Sequence, residues 1–156
     1  MADLVKFGGG RDDLHIPFDA ALQNPISATV IPTFTTTPTP LSNTTDNNLT
    51  TSVAGTATVA QLGTRSPGIK WEFASFSDRL SFKFLAHSPT LATMRVYVSD
   101  DDINYTEVYT GTPVGETTVN LTDLPTYKYV IGAFYENSTW GGTAQITWYE
   151  CWRAAI

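Results

Sequence analysis

Over most of its length the chain alternates apolar and polar residues with the period of two that is typical of half-buried β-strands. Ile69, Trp71 and Phe73 fall on one face of such a segment, with Lys70 and Glu72 on the other. The same pattern returns between polar turns and gives eight expected strands: 55–61, 69–73, 79–85, 94–98, 105–109, 117–121, 127–135 and 144–152. Short strands at intervals of about ten residues predict an all-β domain, an antiparallel jelly-roll β-sandwich.

The first 45 residues lack this regularity. They hold the glycine tract Gly8–Gly10 and the extended, polyproline-like segment Thr35–Pro40. We expect residues 1–45 to form an extended N-terminal arm and residues 46–156 to form the sandwich. The apolar residues that would anchor the arm to a neighbouring subunit are Leu14, Ile16, Phe18, Ile26, Val30 and Ile31. A frayed terminus followed by an edge strand at 28–34, where Pro32 is tolerated, is the alternative.

Composition agrees with this fold class. The 156 residues suit one domain, and the 42% hydrophobic fraction is enough for a core. Charged residues make up only 15%, against about 25% in an average protein. Threonine, which is β-branched and favours strands, is abundant instead.

The charge balance excludes several classes of partner. The formal charge is −6, and the nine basic residues are scattered singly, whereas a nucleic-acid binder needs cations that converge on phosphates. No apolar stretch approaches the roughly 20 residues that span a bilayer, so we expect no membrane partner. The first residues lack the order of a signal peptide, and the single cysteine excludes an internal disulfide, so we expect synthesis in the cytoplasm.

The sequence shows no catalytic set, so we expect no enzyme. His15 and His87 are the only histidines, and neither a nucleophile elbow nor a phosphate-binding loop occurs. Cys151 is interpreted as a small core side chain of the last strand. The run Asp100–Asp102 is interpreted as a hairpin turn rather than a pair of catalytic carboxylates.

Several segments in order resemble the discoidin (factor 5/8 type C) sandwiches and their galactose-binding-like relatives, which include many carbohydrate-binding modules. The resemblance covers about residues 46–152 and rests on these segments: Asp46–Thr51, Ile69–Phe73, Arg95–Asp101 with Tyr105–Val108, Tyr127–Gly132 and Ile146–Glu150. The sequence departs from the family at Ser52–Val53, where relatives usually carry a tryptophan, and in lacking paired cysteines. The resemblance implies a remote relative with the same sandwich.

The resemblance also implies a structural calcium ion between the opening loop and the last strand. Matched residue by residue, its ligands would be Asp46, Asn48 and Thr51 with Glu150. Ca²⁺ takes six to eight oxygen ligands, which carboxylates and backbone carbonyls supply. The alternative is an Asx turn at Asp46 beside a solvated Glu150.

A second implication of the resemblance is a sugar site built from loop aromatics, His, Arg and Asn. In this chain these residues would be Trp140, Asn137 and His87, with Arg65. Trp140 precedes two glycines, and an unburied indole in a loop favours recognition of a ligand. The alternative is that Trp140 caps the end of the sandwich or packs on the arm.

Two functions remain open. A small acidic sandwich with a long arm suits a non-enzymatic structural protein of a virion, a capsid decoration or tail-associated component that assembles as a homo-oligomer or on a lattice of other virion proteins. The composition is similar in style to bacteriophage virion proteins, and the location would then be the virion. The alternative is a carbohydrate-binding, lectin-like module that attaches to a host or a polysaccharide.

Overall fold

The computed structural model describes residues 22–58, 61–86, 93–111, 115–135 and 143–154. In these ranges ten β-strands form two antiparallel sheets that pack face to face. The all-β sandwich predicted from the alternation is therefore confirmed. A 3₁₀ turn, Leu41–Thr44, precedes the third strand, and no helix within these ranges is long and apolar enough to cross a membrane.

Polar turns or longer connections separate the strands, which are numbered in chain order. They are β1 Leu22–Gln23, β2 Ser27–Ile31, β3 Val53–Thr58, β4 Gly68–Ser77, β5 Leu80–Ala86, β6 Thr93–Ser99, β7 Thr106–Gly111, β8 Thr117–Leu121, β9 Tyr127–Tyr135 and β10 Thr143–Ala154. The eight strands expected from the sequence correspond to β3–β10. Of the two additional strands, β2 overlaps the edge strand at 28–34 that we gave as the alternative to an arm, and β1 was not expected.

The first sheet is organised around β10. Residues 143–148 of this strand pair with β3, residues 146–152 pair with β5 on the opposite side, and β1 pairs with residues 153–154. β8 extends the sheet beyond β5. The pairing with β5 shifts register between Trp148 and Glu150, so a β-bulge at Tyr149 changes the direction of the side chains that follow.

The second sheet has the order β2-β4-β9-β6-β7. The alternation in β4 is as predicted: Ile69, Trp71 and Phe73 are buried, and Lys70 and Glu72 are half-buried on the outer face. The outer face of this sheet also carries a cleft.

The core between the sheets is rich in aromatic side chains. Its largest fully buried hydrophobic residues are Trp71, Trp148, Trp152, Tyr127, Phe73, Phe84 and Phe134. Cys151 is fully buried with a free thiol, which confirms its interpretation as a core side chain. Burial of the aromatic rings supplies most of the apolar area that stabilises a sandwich of this size.

Residues 22–45 belong to the sandwich rather than to a free arm. β1 pairs with β10, and β2 pairs with β4 along its whole length at the edge of the second sheet. Of the six expected arm anchors, Val30 and Ile31 are therefore partly buried against their own domain, and Ile26 stays 62% exposed. The edge position has a physical reason, because Pro32 directly after β2 cannot donate to a further strand. Leu14, Ile16 and Phe18 lie outside the described residues.

One buried hydrogen bond fixes this N-terminal segment to the core. The indole Nε1 of Trp71 donates to the hydroxyl of Thr44 over 2.9 Å, and both residues are at most 2% exposed. Because a buried donor without an acceptor is costly, the 3₁₀ turn and β4 are energetically linked.

Replacing Thr44 by valine tests this link. Thr44→Val keeps the shape of the side chain but leaves the indole N–H without its acceptor, so we expect the free energy of unfolding to fall by about 1–3 kcal/mol. Thr37→Val, at an exposed threonine of the same segment, is the matched control and should change stability little. Urea denaturation of both variants measures the difference, and equal midpoints would show that residues 22–45 are not part of the cooperative unit.

Candidate functional site

The opening loop, residues 46–51, folds around the Asp46 carboxylate. Asp46 Oδ1 accepts a hydrogen bond from the Asn48 N–H over 3.0 Å, and the Thr51 hydroxyl lies 2.8 Å from Oδ2. Asn47 adopts a left-handed backbone with φ of 63°, a conformation that asparagine tolerates better than most residues. The Asx turn expected as the alternative at Asp46 is present, and it brings Asp46 and Thr51 together.

The hydroxyl of Thr51 is surrounded by more oxygen atoms than it can bond as a donor. Besides Asp46, its neighbours are the carbonyl oxygens of Asn48 at 3.0 Å and Asn43 at 3.5 Å. A hydroxyl has only one proton to donate. The remaining oxygens therefore form a dense group of acceptors of the kind that hard cations bind.

Glu150 faces this loop from the bulge in β10. It is only 2% exposed, and its Oε2 accepts the Asn47 N–H over 2.6 Å. Its other oxygen, Oε1, is buried without a hydrogen-bond partner among the described residues. The alternative interpretation of Glu150 as a solvated residue is therefore wrong, because the loop covers it.

The raised pKa of Glu150 also reflects its burial. Burial raises the pKa of its carboxyl to about 8; the Asn47 N–H opposes this shift, and the nearby charge of Asp46 adds to it. Glu150 is the buried member of this pair of neighbouring carboxylates, and its negative charge is costly unless a proton or a cation neutralises it.

These residues fit the calcium site that the resemblance implies. The orphaned Glu150 Oε1 and the crowded oxygens around Thr51 would supply ligands, with Asp46 as the second carboxylate. No group of three or more histidine, cysteine or acidic side chains in the described ranges is arranged so that it could hold a metal ion, so backbone carbonyls would have to complete the shell, as Ca²⁺ permits. Lys83 holds the loop from the neighbouring strand by donating to the Leu49 carbonyl over 2.9 Å.

The second candidate place is a cleft on the outer face of the second sheet, with a volume of about 390 Å³. Ile131 and Ile31 form its floor, and a small outer cluster of Tyr97, Ile131 and Ala133 is buried although it lies outside the main core. The cluster is covered because the loop before β4 folds over it: the Tyr97 hydroxyl donates to the Thr64 carbonyl over 2.9 Å. The volume falls within the range of about 300–1,000 Å³ that is usual for small-molecule sites.

Charged and aromatic side chains form the rim of the cleft. Lys70 Nζ lies 2.7 Å from Asp102 Oδ2 in an ion pair, and the Tyr105 hydroxyl donates to the same carboxylate. The guanidinium of Arg65 stacks on the Tyr105 ring, 4.9 Å from its centroid. Burial raises the pKa of Tyr105, and its bond to Asp102 adds to the shift, so the phenol stays protonated.

The turn between β6 and β7 positions this rim. The Asp101 carboxylate accepts hydrogen bonds from the backbone N–H groups of Ile103 and Asn104 and from the Ser99 hydroxyl. These bonds hold the pKa of Asp101 well below its usual range. The interpretation of the acidic run as a hairpin turn is confirmed, although the turn also contributes Asp102 to the cleft.

The described residues include one of the four residues expected to bind sugar. Arg65 lies at the cleft, and His87, Asn137 and Trp140 lie outside the described residues. The sequence analysis did not identify Lys70, Asp102 or Tyr105 as site residues. A signal was present, because Lys70 alternates outward from β4, but only the fold shows that the acidic turn meets it there.

Neither a protein-family model nor a curated protein matches the sequence. Solved structures do match. Chitosan-binding module 1 of a chitosanase/glucanase from Paenibacillus sp. IK-5 is 21% identical with a TM-score of 0.55, over 90% of this chain and 100% of that one. Module 2 of the same enzyme, solved in complex with chitotriose, is 18% identical with a TM-score of 0.55, over 86% of this chain and 98% of that one.

A third match is the CBM32 of AlyQ in complex with 4,5-unsaturated mannuronic acid. It is 15% identical with a TM-score of 0.54, over 86% of this chain and 98% of that one. Likeness at this level of identity concerns the fold. The chain has the galactose-binding-like β-sandwich fold, which confirms that part of the resemblance found in the sequence, and nothing in these matches supports a bacteriophage origin.

The calcium site implied by the resemblance, if present, should affect stability. Adding CaCl₂ at about 100 times its Kd should add about 2.7 kcal/mol, which raises the melting midpoint by roughly 5–10 °C in a chain of this size. In Glu150→Gln this increment should be absent, and the variant should melt no lower than the unaltered protein in EDTA, because a neutral amide replaces a carboxyl whose charged form is disfavoured by burial. Glu107→Gln, at a carboxylate on the second sheet, should keep the increment. Identical melting in calcium and EDTA would contradict the site.

Proposed function

We propose that this galactose-binding-like sandwich is a non-catalytic carbohydrate-binding module whose cleft on the second sheet receives a sugar. The observation that carries the proposal is the composition of the cleft. An aliphatic floor of Ile31 and Ile131 lies beside the Tyr105 ring and several hydrogen-bonding side chains. Sugars present both apolar C–H faces and hydroxyl groups, and a concave apolar site with a few placed polar groups suits such a ligand.

The similar solved structures support this class of function. They are binding modules rather than catalytic domains, and two of them hold a sugar: a mannuronic acid derivative in one and chitotriose in the other. These two sugars carry opposite charges, so the fold by itself does not select the ligand. The preference of this chain must come from its own side chains.

Hydrogen bonds fix the backbone that carries Arg65 next to Tyr105. The loop that carries Arg65 is fixed by the Tyr97 hydroxyl, by the Gly63 N–H bond to the Ser66 carbonyl and by the Phe134 N–H bond to the Pro67 carbonyl. Because the loop is already ordered, little conformational entropy is lost when a ligand binds.

Binding to a panel of neutral, acidic and amino polysaccharides, measured by affinity electrophoresis, tests the proposal. Tyr105→Ala should lower the affinity at least about tenfold, because it removes an anchoring ring from the rim. Tyr149→Ala, at an aromatic residue on the first sheet, is the matched control and should bind normally. Trp140→Ala tests the other sugar site, which we expected around His87, Asn137 and Trp140. If only Trp140→Ala loses binding, the sugar binds there and not in the cleft. If the protein binds no polysaccharide, the proposal is refuted.

Assembly into a virion stays a prediction. The pairing of β2 with β4 uses part of the expected arm within its own domain. If the remaining arm joins subunits, light scattering after size exclusion should give a defined oligomer for the full chain, and a truncation before Leu22 should be a monomer. A monomeric mass for the full chain would show that the protein does not assemble with itself in solution.

A further inference from the structure

The charges of the cleft do not cancel. Lys70 and Asp102 form an ion pair and neutralise each other, with both side chains about one third exposed. Arg65 is the remaining charge on the rim, since no ion pair or hydrogen bond joins its guanidinium to the described residues. Among the described residues the cleft therefore presents one positive charge without an ion-pair partner, in a protein whose formal charge is −6.

The contact that Arg65 makes with Tyr105 leaves its hydrogen-bond donors without an oxygen acceptor. The guanidinium carbon lies over the Tyr105 ring, 4.9 Å from the centroid. The N–H donors of an arginine form a planar fork that matches a carboxylate with two parallel hydrogen bonds. The side chain is half-buried and has no acceptor among residues that the structure describes, so its fork would gain a strong interaction from a bound anion.

The other cleft residues suit a sugar that carries this anion. Thr64 and Ser66, on either side of Arg65, line the cleft, and their hydroxyls make no hydrogen bond to the described residues. Ile103 lines the opposite rim and is 72% exposed. An exposed isoleucine at a cleft rim can pack on the C–H face of a sugar ring, and the two hydroxyls can bond its hydroxyl groups.

The net charge of the protein also limits the kinds of anionic ligand that it can bind. A protein of charge −6 repels a densely charged polyanion at long range. A single cation also fits a singly charged carboxylate better than a phosphate or sulfate cluster, for which several basic groups would be expected to converge.

We propose that the cleft recognises a uronic acid unit, with Arg65 pairing to its carboxylate and Thr64 and Ser66 bonding its hydroxyls. This inference rests on the proposed function and adds the class of sugar that the site takes. The carboxylate contact supplies specificity, because a neutral sugar leaves the Arg65 fork unpaired.

Isothermal titration with matched short oligosaccharides tests the inference. Each probe carries one glucuronic, galacturonic or mannuronic acid, and its partner is the same oligosaccharide with the carboxyl group reduced to an alcohol. We expect at least one acidic probe to bind about ten to a hundred times more tightly than its reduced partner. The use of the full chain and short probes avoids gels formed between acidic polymers and calcium.

Variants of Arg65 identify the contact. Arg65→Gln should make the affinities for the acidic probe and its reduced partner equal, and Arg65→Lys should keep only part of the preference because it loses the bidentate fork. Arg79→Gln, at an exposed arginine in the turn between β4 and β5, is the matched control. The melting midpoint of each variant should equal that of the unaltered protein, so that a change in binding is not a change in folding.

The outcomes separate the two proposals. Equal affinity for acidic and reduced probes, or a preference that survives in Arg65→Gln, would overturn the uronic acid inference and leave carbohydrate binding intact. Binding of amino sugars in preference to acidic ones would do the same. No binding to any oligosaccharide, neutral, amino or acidic, would overturn both.

Discussion

The pairing of β10 with three other strands is the constraint on which the structure depends. Its residues pair with β1, β3 and β5, so the first sheet would lose its centre without it. The same strand carries Arg153, whose guanidinium lies 4.2 Å from the Phe73 ring centroid and donates to the Ser75 carbonyl and to Gln23. One strand thus joins its own sheet to β4 of the opposite sheet. Because the pairing is long and largely buried, small departures along it can be tolerated.

The bulge at Tyr149 is such a departure, and it has a chemical consequence. Without the bulge, strict alternation would put Glu150 on the same face as the buried Trp148. With it, Glu150 reaches the opening loop while Trp148 and Cys151 both remain buried. A polar group is thereby placed next to the core at the one point where a loop arrives to cover it.

Strand positions could be predicted from the sequence because burial on one face of a sheet imposes a period of two, as Ile69, Trp71 and Phe73 show. The segment before residue 46 was harder, because β2 is an edge strand only partly buried and its signal is interrupted by Pro32. Asp46, Thr51 and Glu150 were matched by resemblance and do lie together. The cleft could not be predicted, since Arg65 and Tyr105 are 40 positions apart and their contact depends on how one loop folds over the outer face of a sheet.

The two candidate places lie on different sheets, and this separation has a consequence for how the protein could change. The loop around Asp46 is attached to β10, whereas Arg65 and Tyr105 stand on the outer face of the second sheet. Mutations at distant sites without shared contacts combine nearly additively. Thermal tolerance could therefore be tuned through the loop, and ligand preference through the cleft, as two independent traits in selection or in engineering.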